Sequence, residues 1–143
     1  MGTTTFSGPV KAGTVREGAS ANTGSVLMAQ SAVIDIIGAT NTTAVGIIPA
    51  NSQIVDVILN VTTASDDGGA ATVKIGHLGD DDEYLPATNV KATGTTRGTI
   101  GADGTDIGSS DQTVNAIYTA ANGNGANGAA TVTVLYIQNN NLA

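Results

Sequence analysis

Between Gln53 and Thr62 the chain reads QIVDVILNVT, a run of aliphatic and β-branched residues that predicts a strand. Val55, Val57, Leu59 and Val61 fall on one face, with Ile54, Asp56, Ile58 and Asn60 on the other; the first is the expected core face. Thr72–His77 predicts a second strand, in which Thr72 and Lys74 alternate with Val73 and Ile75. Ala64–Gly69 (ASDDGG) joins the two, because its Asp-Gly and Gly-Gly steps accept the positive φ of a tight turn. A second acidic turn, Asp80-Asp81-Asp82-Glu83-Tyr84-Leu85, is expected to close the pair.

The same pattern recurs on either side. Val26–Gln30, Ala32–Ile37 and Ala44–Ile48 are apolar runs of strand length, and Pro49-Ala50-Asn51-Ser52 forms a turn into the Gln53 strand. Lys91–Gly108 is mostly Thr, Gly, Ala and Asp, which suits short edge strands and loops. Thr113–Thr119 and Ala130–Gln138 restore clear β patterning, with Ala120–Ala129 (AANGNGANGA) read as a hairpin loop between them. Residues 1–24 are poor in large aliphatics and read as an extended arm, with a short strand around Gly13–Glu17.

No segment carries a capped 3.6-residue period, so helices are not expected. The expected fold is all-β: one β-sandwich domain over residues 25–143, of jelly-roll or Greek-key type with roughly seven to nine strands, and an extended N-terminal arm over 1–24.

Composition narrows the function. The chain has 143 residues, enough for one domain with a usable core, and a hydrophobic content of 41%. Charged residues make up only 12%, so Thr, Ser, Asn, Gly and Ala must build most of the surface. Aromatics are 3%, which leaves a thinner core margin and makes self-association an expected source of stability. The net charge of −7, with five scattered basic residues, argues against direct nucleic-acid binding. With no cysteine, disulfides and thiolate chemistry are excluded. No run approaches a membrane span, and the first residues, Met1-Gly2-Thr3-Thr4-Thr5-Phe6, lack the features of a signal peptide. Synthesis in a host cytoplasm is the expectation.

Candidate chemistry is sparse. Asp80, Asp81, Asp82 and Glu83 could offer oxygens to calcium, but the spacing is not that of an EF-hand, and soluble turn residues explain them as well. His77, expected to point inward, has no cysteine or second histidine with which to form a metal site. No Gly-x-Ser-x-Gly elbow accompanies it. Gly123–Gly128 matches a bare G-x-G-x-x-G, yet a strand follows it where a phosphate loop needs a helix. Only Tyr84 stands beside the carboxylates, with no Trp to form a sugar platform. No enzyme is expected.

Two segments carry a family likeness. One is Thr3–Thr14 (TTTFSGPVKAGT). The other is Ile48–Val57 (IPANSQIVDV), continuing through Thr72–Gly76 (TVKIG) to Asp80–Leu85 (DDDEYL). In this pattern of proline, strand, acidic turn and strand ending in glycine, the chain resembles capsid decoration (cement) proteins of tailed bacteriophages. That resemblance implies a non-catalytic virion protein on the capsid exterior, bound to the major capsid protein and bracing the head as a homo-oligomer, with a trimer favoured. The arm would make the contacts, and its composition nominates Phe6, Val10, Lys11 and Arg16. A tail-fibre or receptor-binding module, reading glycan or host protein through a loop such as Ala120–Ala129, is the alternative. A secreted surface module is disfavoured by the missing signal sequence.

Overall fold

A computed structural model describes residues 27–100 and 106–138. Eight strands follow in chain order: β1 (Leu27–Asp35), β2 (Asn41–Ile48), β3 (Ser52–Thr63), β4 (Ala71–His77), β5 (Asp80–Asn89), β6 (Gly94–Arg97), β7 (Gln112–Ala120) and β8 (Ala129–Gln138). They form two four-stranded antiparallel sheets, ordered β1-β8-β3-β6 and β2-β7-β4-β5. Four of the pairs nest: β4 with β5, β3 with β6, β2 with β7 and β1 with β8. That is the order produced by wrapping one long antiparallel ribbon, closed at the β4–β5 hairpin, so that alternate pairs fall in opposite sheets. The all-β sandwich is therefore a jelly roll.

Period-two alternation explains why these residues face inward. Ala130, Val132, Val134 and Tyr136 of β8 are buried, as are Val114, Ala116 and Tyr118 of β7 and Ala71, Val73 and Ile75 of β4. All three tyrosines lie in the core, and each hydroxyl is satisfied. Tyr84 donates to Gln112 Oε1 at 2.7 Å, and Tyr118 shares a hydrogen bond with Ser65 Oγ at 2.9 Å. Tyr136 accepts from Gln30 Nε2 at 3.1 Å. Every aromatic side chain among the described residues is thus spent on the interior, and each polar tip ties the core to another element of the sandwich.

Several expectations change. In β3, Val57, Leu59 and Val61 face the core as expected, but Val55 is exposed and Ile54 takes the buried place. The β3–β8 register shifts between Ile54 and Asp56, and a β-bulge there reverses the faces on its N-terminal side. Val26–Gln30 and Ala32–Ile37 are not two strands: β1 runs straight through Ser31. Asp80–Glu83 begins β5 and is not a loop, because Leu78 and Gly79 (φ 111°) alone turn the chain from His77 to Asp80. Finally, Ala120–Ala129 is no hairpin, since β7 and β8 lie in different sheets and the segment crosses between them. The Pro49–Ser52 turn is present, with Asn51 at a φ of 58° that asparagine tolerates.

Candidate interaction surface

The two acidic clusters prove to be different objects. Asp66 and Asp67, in the β3–β4 connection, clamp the β7–β8 crossover. Asp66 accepts hydrogen bonds from the backbone N–H of Ala126 (2.7 Å) and Asn127 (2.9 Å) and from Asn127 Nδ2 (2.7 Å). Asp67 accepts from the N–H of Gly69 (2.8 Å), Asn124 (2.9 Å) and Asn122 (3.3 Å). Lys91 Nζ completes the clamp by donating to the carbonyls of Asp67 and Gly69. A loop rich in Asn and Gly has little intrinsic order, and here it receives its shape from two carboxylates more than fifty residues away in the chain.

The electrostatics agree with that geometry. Hydrogen bonds, first from the Asn127 backbone and then from its side-chain amide, hold the Asp66 carboxyl below the ordinary carboxylate range. For Asp67, burial pushes upward, but the N–H groups of Asn124, Gly69 and Asn122, together with Lys91, outweigh it and the net shift is downward. A folded-state pKa below the unfolded value gives stability that is complete above about pH 4 and is lost as pH falls through the lowered value. The thermal midpoint is therefore expected to fall on acidification below about pH 4. Asp67→Asn should lower that midpoint at neutral pH and flatten the acid slope, because an amide presents donors where three N–H groups need an acceptor. Thermal melts from about pH 2 to 7 read both effects, and an unchanged slope in the variant would refute the clamp's role.

The second cluster lies along β5. Asp81 pairs with Lys74 Nζ at 2.6 Å, and Glu83 Oε2 lies 2.6 Å from His77 Nε2. His77 is thus only partly buried, at the mouth of the hairpin, while its Nδ1 lies 2.9 Å from the Leu78 carbonyl. Among the described residues, no group of three or more His, Asp or Glu side chains gathers as a cation site. An open groove of about 590 Å³ runs beside the hairpin, between Thr42, Asn115 and Ile117 on one side and His77–Asp81 on the other. Tyr84 is buried and offers no stacking face; burial, then the charges of Glu83 and Asp80, push its phenol pKa upward, so it stays a hydrogen-bond donor. The four nominated arm residues, Phe6, Val10, Lys11 and Arg16, lie outside the described residues.

The two flanks of the sandwich differ in polarity. On one side the edge strands β5 and β6 carry Asp80–Glu83 and Arg97, whose guanidinium pairs with Asp56. On the other, β1 and β2 hold a single charge between them, Asp35. Of the seven exposed large apolar side chains among the described residues, five lie on or directly after these two strands: Leu27, Met28, Val33, Ile37 and Ile47. Gln30 stitches the flank together by donating from Nε2 to the Ile47 carbonyl at 2.8 Å. Reading the strands one at a time missed this, because the two edges meet only when the ribbon wraps.

No family model matches the chain, and neither does any curated protein. Solved structures do share its fold. A chain in the acidic stable capsid structure of Helicobacter pylori bacteriophage KHP30 aligns with a TM-score of 0.63 at 18% identity, over 78% of this chain and 87% of its own. A chain of the cyanophage Pam1 capsid asymmetric unit aligns with a TM-score of 0.59 at 17% identity, over 94% and 96%. Coverage of this extent means that the likeness spans both sheets. The chain has a fold found in the capsids of these two phages.

Proposed function

We propose that the chain is a structural virion protein that binds the outer surface of an assembled phage capsid and stabilises it. The observation that carries this reading is the jelly roll, matched over 78% and 94% of the chain by chains of two phage capsid structures. A surface low in charge and a scarcity of convergent titratable groups among the described residues suit a protein that works by contact. The partner is the major capsid protein, engaged at many equivalent lattice positions, so that interfaces weak in isolation act together as avidity. In this reading the arm reaches the lattice or a neighbouring copy through Phe6, Val10, Lys11 and Arg16, and calcium at Asp80–Glu83 is not required.

Co-sedimentation with undecorated heads tests the proposal. Saturable binding at a fixed ratio to lattice positions is expected, and deletion of residues 2–17 should weaken it about tenfold or more, since multivalent attachment magnifies each lost contact. Protein left wholly in the supernatant would overturn the capsid reading and turn attention to a tail-fibre or receptor-binding role. Binding unaffected by the deletion would overturn the arm assignment alone.

A further inference from the structure

We propose that β1 is a self-pairing edge: two copies of the chain join β1 to β1 in antiparallel fashion about a two-fold axis, fusing two four-stranded sheets into one of eight. Among the described residues the two sheets leave four strand edges unpaired, and three of them are guarded. β6 is only four residues long. β5 carries the acidic run and Pro86, and its ladder with β4 shifts register twice. β2 is interrupted by a bulge between Ala44 and Gly46. Short length, charge, proline and bulges are the devices by which edges avoid pairing with other chains. β1 has none of them: nine residues pair with β8 in unbroken register, without Lys, Arg or Pro, and with Asp35 only at the end.

The strand also suits itself as a partner. Full antiparallel overlap places Ser31 opposite its twin, Ala29 opposite Val33, Met28 opposite Ile34 and Leu27 opposite Asp35. No like charges oppose each other, and Ala29 and Ala32 sit against the larger Val33 and Gln30. Val33, 71% exposed in the single chain, gains a cross-strand neighbour, as does Leu27 at 55%. Electrostatics select a second copy over a charged partner. A basic surface would be drawn to the β5–β6 flank, whereas the β1–β2 flank, whose one charge is Asp35, lets two acidic molecules meet with their carboxylate runs turned away from each other. The two-fold pair is a different assembly from the trimer that the family resemblance implies, and it needs no capsid to form.

Light scattering and sedimentation equilibrium on the full chain, over a wide concentration range and without heads, give the answer. A dimer is expected, with Val33→Lys weakening it about tenfold or more while leaving the folded spectrum intact, because lysine on an edge opposes pairing. Ser31→Cys supplies an independent readout in a chain that has no cysteine. Paired antiparallel residues stand about 4.5–5.5 Å apart at Cα, within disulfide range, so oxidised glutathione should give a covalent dimer. A Thr88→Cys control on the guarded β5 edge should not cross-link. A monomer at every concentration, a trimer indifferent to Val33→Lys, or no Ser31→Cys cross-link would each overturn the proposal. Since heads are absent, none of these results bears on whether the chain binds a capsid.

Discussion

Gly76→Ala is expected to destabilise the fold by about 3 kcal/mol or more, the upper range for forcing atoms into a filled interior. Gly76 sits near the end of β4, opposite Asn115 of β7, and the start of β5 arches directly over it. Between the His77–Asp80 and Ile75–Leu85 pairs, β4 advances two residues while β5 advances five. The excess backbone folds down onto the glycine. An added Cβ would lie 2.7 Å from Asp82 N and closer still to the Asp80 carbonyl oxygen and the Asp81 carbonyl carbon. Backbone atoms have no rotamer by which to escape, so the hairpin must lift, taking the Lys74–Asp81 and His77–Glu83 contacts with it. A fall in thermal midpoint of roughly 10 °C or more should follow. Gly46→Ala is the control: the nearest atoms to its added carbon belong to the Gln30 side chain, whose far end can swing aside by giving up its hydrogen bonds to Ile47 and Tyr136, so a smaller loss is expected. Equal midpoints for Gly76→Ala and the parent protein would show that the arch does not press on this residue.

Gly76 also marks where sequence reasoning stops. A strand ending in glycine and followed by acidic residues was legible, because it depends on local backbone chemistry. The tight turn expected at residues 64–69 was not: β3 and β4 lie in different sheets, the segment crosses between them, and neither Gly68 nor Gly69 takes a positive φ. What Gly76 accommodates was not legible either, since the arch of β5 arises from a mismatch between two strands. Val55 makes the same point: its alternation with Val57 was sound, and a bulge of one residue sent it to the surface. Asp66 and Asp67 looked like the rest of the acidic population. Their partners at Asn122–Asn127 come near only when β7 crosses to the other sheet, and no spacing rule reaches over such a distance. The inward faces of β7 and β8 needed no such knowledge, because strict period-two patterning with a single burial direction specifies them alone.

Tyr118→Ala should produce the other large loss, about 3–5 kcal/mol by removal of a fully buried aromatic ring. Tyr118 lies in the middle of its sheet, opposite Asn41 of β2 and Val73 of β4, so no edge can collapse into the space left behind. Tyr118→Phe separates the ring from its hydroxyl. It should cost about 1–2 kcal/mol, because Ser65 Oγ is buried and loses its side-chain partner. Ser65 stands at the base of the clamp: its N–H donates to the Val90 carbonyl at 3.0 Å, and its Oγ faces the Asp67 N–H at 3.4 Å. Loss of the tyrosine hydroxyl should therefore loosen the loop that presents Asp66 and Asp67, beyond any change in the core. A double-mutant cycle with Ser65→Ala, followed by urea unfolding, measures the coupling, expected at about 1 kcal/mol. Additive losses would mean that the hydroxyl pair is incidental. Coupling near the expected value would make Tyr118 the physical link through which core packing holds the crossover loop in shape.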